Sequence, residues 1–162
     1  MRIGRGDQER QMVKVKFSSI LPLEYRGELE RIVFFNPEQG RVADFLVASV
    51  RRYGVPSIVE DGPYLRFSVP AFRSIQSLYA LDEIATPAQL AGVAMFVRER
   101  DNPDTMLLLH LAVHEDYAAD GPKAHEWLAA RLMSAIRGVC LQTRGITSLR
   151  VLYPREARFV LR

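Results

Sequence analysis

The chain carries a single cysteine, Cys140, among 162 residues, which excludes an internal disulfide and a cysteine-rich zinc site. Cys140 ends an apolar helical stretch, where a small core residue is the expected role rather than a nucleophile. No apolar run reaches bilayer length, and Met1 to Gln11 is charged with no apolar centre. Neither a membrane segment nor a secretory leader is therefore expected, and the cytoplasm is the default location. Charge of one sign is nowhere concentrated: 22 basic and 19 acidic residues are mixed along the chain, for a net charge of +3. Such a surface gives no reason to expect nucleic acid as a partner, and the dispersed aromatics suit a core better than a base-stacking platform. A Walker loop, a dinucleotide fingerprint and a Gly-x-Ser-x-Gly elbow are also missing. His110 and His114 resemble a metal pair, but four strand residues span about 13 Å, too far for one ion to bridge, so no metal site is expected.

What is present is apolar sequence, 48% of the chain, enough for the core of one compact domain. Residues 1–11, with Gly4, Gly6 and several charges, read as a flexible N-terminal extension, and 12–162 as a single domain. Alternation through Val13-Lys14-Val15-Lys16-Phe17 predicts a half-exposed strand, and Glu30 to Phe35 a second one. Asn36 and Pro37 read as the cap and first turn of a helix whose stripe, Val42, Phe45, Leu46 and Val50, runs to Tyr53-Gly54. Arg51 and Arg52 would complement the dipole at its last turn. Ser57–Glu60 and Tyr64–Val69 flank Gly62-Pro63 as a hairpin, and Ser77–Leu81 and Leu90–Val97 follow as strands. No repeat, low-complexity tract or linker interrupts the chain.

The rest is arranged around Thr105 to Cys140. Met106 to Val113 is an apolar run of strand length, predicting a central strand buried on both faces. Leu128, Leu132, Ala135, Ile136 and Val139 then recur at helical spacing, with Asp120-Gly121 as the expected cap and Pro122 in the first turn. Gly145 to Tyr153 supplies a strand beyond the helix. A buried strand running into a helix N-terminus sets backbone amides beside a strand end, a frequent arrangement for anionic groups.

Over residues 76–153 this pattern resembles the acyl-CoA-binding core of the GNAT-type N-acetyltransferase superfamily. There a Leu-x-Val-x-Pro-x-Tyr strand leads into an Arg/Gln-x-x-Gly-x-Gly/Ala loop whose amides hold the pyrophosphate of coenzyme A. Leu111, Val113, Tyr117 and Gly121 fall at matching places, whereas Glu115, Ala118 and Lys123 replace the proline, the basic residue or glutamine, and the last glycine. The resemblance implies an α+β domain with a mixed, mainly antiparallel sheet of six or seven strands and helices packed on it. It implies transfer of an acetyl group from acetyl-CoA to a small-molecule or peptide amine. Leu111 and Val113 would align the pantetheine, and Gly121, Lys123 and Ala124 would face the pyrophosphate. Glu115 and His110 are the candidate bases; the family's tyrosine acid has no counterpart, because Tyr153 lies in a strand. Asp120 and the amide-free Pro122 predict weak or absent acetyl-CoA binding. A non-catalytic interaction module of the same fold, with a homodimer as a candidate assembly, is the alternative.

Overall fold

The computed structural model describes residues 14–37, 40, 43–124, 127–152 and 157–162, and of Phe45 the backbone. The expectations placed on residues 1–11, Val13, Val42, Tyr153 and the Phe45 side chain lie outside the described residues. The elements in order are β1 (Val15–Ser18), β2 (Leu21–Pro22), α1 (Arg26–Phe34), α2 (Ala43–Tyr53), β3 (Ser57–Asp61), β4 (Tyr64–Ser68), β5 (Gln76–Asp82), β6 (Gln89–Arg98), β7 (Thr105–Val113), α3 (Leu128–Gln142), β8 (Ser148–Val151) and β9 (Ala157–Val160). Six strands form one sheet in the order β1-β5-β6-β7-β8-β9, and a smaller sheet runs β2-β4-β3. Every pairing is antiparallel except β7 with β8. The fold is thus α+β with a mainly antiparallel main sheet of six strands, as expected.

Both faces of the main sheet are covered, which explains why β6 and β7 read as continuous apolar runs. On one face α3 lays Leu128, Leu132, Ile136 and Cys140, an i, i+4 ladder without solvent exposure, against Leu78, Ala94, Phe96 and Leu108. Burying each of these leucine or isoleucine side chains contributes roughly 1.5–3 kcal/mol. The other face carries α1 and the small sheet, with Leu29, Ile32, Val33, Leu65 and Phe67 packed toward Val93, Met95, Leu107 and Leu109. Cys140 is core, as expected, and burial raises its thiol pKa above the usual value.

Three expectations about boundaries are corrected. Glu30 to Phe35 is not a strand but the second half of α1. Its apolar residues suit a helix because Leu29, Ile32 and Val33 share one buried side while Phe35, just past the helix end, is 75% exposed. The next helix, α2, begins at Ala43 rather than at Pro37. The side-chain amide of Asn36 donates to the Val113 carbonyl at 2.9 Å. Finally, α3 begins at Leu128, with Trp127 at the N-cap in a left-handed conformation (φ 52°), so Asp120, Gly121 and Pro122 lie in the loop before the helix.

Candidate active site

The functional geometry starts from an irregularity in β7. Met95 pairs with His110 and Phe96 with Leu108, which leaves Leu109 as an extra residue, a β-bulge. Before it, Met106 and Leu108 face α3 while Leu107 faces α1; after it, Leu111 and Val113 face α3. The bulge therefore changes the parity of the strand and turns both Leu109 and His110 to the α1 side. There they line a cavity of about 210 Å³ with Val33 and Phe34 of α1, Ser49 and Tyr53 of α2, and Met95. His110 is 7% exposed, and desolvation lowers its pKa from 6.5 to about 4, so the imidazole is neutral at pH 7.

The same bulge marks where the parallel neighbours part. β7 and β8 pair over Thr105–Leu108 and Ser148–Val151, and β7 continues beyond them through Leu109 to Val113. The His114 N–H donates to Ala91 on β6, so by alternation the backbone groups of Val113 and Leu111 point to the opposite edge. Asn36 reaches the Val113 carbonyl from that side.

Beyond β7 the chain makes a 3₁₀ turn, Glu115–Tyr117, and closes on itself. Gly121 N–H donates to Ala118 O, Lys123 N–H to Asp116 O and Ala124 N–H to Gly121 O. The amides assigned to a pyrophosphate are thus spent inside the loop, and Pro122 has none. Gly121 is needed for packing: a Cβ there would lie 2.3 Å from the Glu115 carbonyl oxygen. Lys123 Nζ lies 3.2 Å from an Asp82 carboxylate oxygen and 5.1 Å from the centre of the Tyr117 ring. Asp82 is buried, takes the Tyr117 hydroxyl in a short hydrogen bond and accepts the Ile84 N–H at 3.1 Å. Burial alone would raise the Asp82 pKa, but the Tyr117 hydroxyl, the Ile84 amide and Lys123 outweigh it and hold it below the usual carboxylate value. Residues 121–124 therefore do not fit a pyrophosphate. The backbone amides that open α3, where no side chain caps the helix, lie past Trp127.

The sequence-derived candidates are in this way separated. His110 faces the cavity; Glu115 is not among its lining residues and is paired with Arg31 at the surface. Leu111 and Val113 send their side chains to the α3 face and their backbone groups to the edge away from β6. Lys123 is tied to Asp82. His114 has a side chain only 15% exposed, and its Nδ1 accepts the Asp116 N–H. Among the described residues no group of three His, Cys, Asp or Glu is placed to hold a metal ion, and no helix is long and apolar enough to cross a membrane. Asp82, Arg31 and Asn36 were not anticipated; the only signal for Asp82 is a carboxylate ending the apolar run Leu78–Leu81.

No family model and no curated protein matches this chain. It is similar to a solved structure from Desulfovibrio desulfuricans described as a candidate acetyltransferase of the GNAT family, with a TM-score of 0.47 and 19% identity over 85% of this chain and 72% of that one. At that distance the neighbour says nothing about activity here.

Proposed function

We propose that the chain is a divergent N-acetyltransferase of the GNAT-like type, transferring an acetyl group from weakly held acetyl-CoA to an amine. One observation carries this reading: at the Leu109 bulge, β7 parts from its parallel neighbour and presents a neutral histidine to a cavity on the α1 side. The edge of β7 that faces away from β6 is where an extended chain carrying amide groups would be aligned, and the backbone of Leu111 and Val113 faces it. Acetyl-CoA supplies the activated acetyl group. The apolar cavity disfavours an ammonium ion and so favours the neutral, nucleophilic amine. As the amine nitrogen bonds the acetyl carbon its proton becomes acidic, and the unprotonated ring nitrogen of His110 is the group in the cavity that can take it, while the acetyl C–S bond breaks and coenzyme A would leave as its thiolate. Glu115 would have to leave Arg31 before it could act, which ranks it below His110.

A second reading, a non-catalytic interaction module, is favoured by the loop: its amides are turned inward, and Lys123 is matched by Asp82. A homodimer is the assembly proposed under that reading. Acetyl transfer from acetyl-CoA to a panel of uncharged and charged amines separates the two. Turnover with wild type that falls about 10²-fold or more in His110→Gln, at unchanged fold, supports the enzyme. Absence of turnover with every amine, or full activity in His110→Gln, removes it or its assigned base.

A further inference from the structure

The cavity beside the bulge has a composition that narrows what it can hold. None of its described lining residues is Asp, Glu, Lys or Arg; Ser49, Tyr53 and His110 are the polar side chains among valines, leucines, a methionine and a phenylalanine. Its volume of about 210 Å³ exceeds the roughly 150 Å³ of an apolar cavity that takes up benzene, so a single or fused aromatic ring fits. Its rim is apolar too: Val50 is 39% and Val55 66% exposed. Valines left in water at the mouth of an apolar recess are what a greasy ligand would cover.

The wall is also preformed. After α2 the chain turns at Gly54 (φ +93°), whose N–H donates to Val50 O at 2.8 Å. A Cβ at Gly54 would lie 2.6 Å from Cγ of Pro70, and Ala71 N–H bonds Tyr53 O at 3.0 Å. These contacts fasten the α2 end to the end of β4 and hold Val55 and Pro56 against the cavity, so little ordering is left for a ligand to impose.

We propose that this cavity binds an uncharged, apolar group of one to two fused rings, which under the transferase reading above is the side group of the acceptor amine. Only that last assignment rests on the transferase reading; the binding itself does not. Among the described lining residues a carboxylate or ammonium on the ligand would find no charged partner, so the same composition disfavours charge on the inserted group.

The test uses the full chain with indole as the probe and indole-3-acetate as its charged counterpart, read by NMR of the His110 imidazole and by calorimetry. The expected result is a saturable shift of the His110 resonances with indole, with affinity for indole-3-acetate at least tenfold lower. Ser49→Trp, which fills the recess from α2, should abolish indole binding. Val50→Asp, a change at the exposed rim, should weaken it at least tenfold even if Ser49→Trp does not fold. No saturable effect of indole on His110 in wild type, equal binding of the two probes, or unchanged affinity in Val50→Asp each overturns the proposal. No cofactor is present in this experiment. Indole binding without any acetyl transfer leaves the cavity assignment standing and removes the transferase reading; acetyl transfer without indole binding does the reverse.

Discussion

Lowering the pH from 7 to 5 should destabilise this protein through His110 by an amount that one substitution can isolate. The imidazole is buried against apolar walls, with no carboxylate among the described residues lining its cavity, and desolvation brings its folded pKa to about 4 against 6.5 when unfolded. The folded state therefore binds fewer protons than the unfolded state between these values, so stability rises with pH. The contribution is fully present above about pH 6.5 and is lost as pH falls toward the folded pKa near 4. Integrated between pH 7 and pH 5, the loss is about 2 kcal/mol, near 0 at the upper end and steepest around pH 5. For a chain of this size that is a fall in Tm of roughly 4–8 °C. Urea denaturation at several pH values, on wild type and His110→Gln, measures it. Glutamine keeps a polar side chain but cannot titrate, so whatever its absolute stability the variant should lack this slope. The remaining groups are common to both proteins and cancel in the difference. Parallel curves for the two proteins between pH 7 and 5 would refute the argument, because they would mean the His110 imidazole gains a proton as easily folded as unfolded.

The loop offers further tests. Gly121→Ala should cost about 1–3 kcal/mol in urea denaturation, since the added Cβ meets backbone carbonyl oxygen rather than a movable side chain. Tyr117→Phe removes the hydroxyl from buried Asp82 and should cost about 1–3 kcal/mol, whereas a change under 0.5 kcal/mol, on the order of an ordinary surface substitution, would show that the hydrogen bond is not structural. Millimolar acetyl-CoA should raise Tm by no more than about 1–2 °C, because a ligand present near its Kd adds only about 0.4 kcal/mol; a shift equivalent to roughly 2.7 kcal/mol would mean tight binding and sink the reading of a closed loop.

Strands and helix were legible wherever one period dominated. Met106–Val113 could only be a strand buried on two faces, and the ladder from Leu128 to Cys140 could only be a helix. The run Glu30 to Phe35 failed because four adjacent apolar residues carry no period of their own. The deciding evidence was one turn upstream: Leu29 lies at i−3 and i−4 from Ile32 and Val33, and Tyr25 completes the buried side with its hydroxyl on Ala88 O at 2.7 Å. The start of α3 was misplaced for a related reason. Asp-Gly-Pro is strong punctuation, and the same residues that can open a helix can close a loop. Here Gly121 is fixed by the carbonyls of Glu115 and Asp116, residues adjacent in space because the 3₁₀ turn brings them back.

The candidate site was harder to read than the fold because its decisive feature is a count of residues in one strand relative to its neighbour. Strict alternation through Met106, Leu108 and His110 sends the histidine to the α3 face, and nothing in the residues Leu107-Leu108-Leu109-His110 marks one of them as extra. Only pairing with β6 does so: seven register partners keep step on either side of a single slip, and the slip moves His110 across the sheet. The consequence is chemical as well as geometric. On the α3 side an imidazole would sit among Leu132, Ile136 and Met106 in a closed core. On the α1 side it meets an open recess, where a ligand can reach it. A change that removes the bulge tests this register. Deleting Leu109 takes out the extra residue, so His110 follows Leu108, still pairs with Met95 and by alternation keeps its side chain on the α1 side. In the fraction of molecules that remains folded the imidazole should therefore still respond to indole. A histidine that no longer responds to indole in the deletion variant would mean that Leu109 is not the extra residue, and the site would have to be rebuilt from other residues.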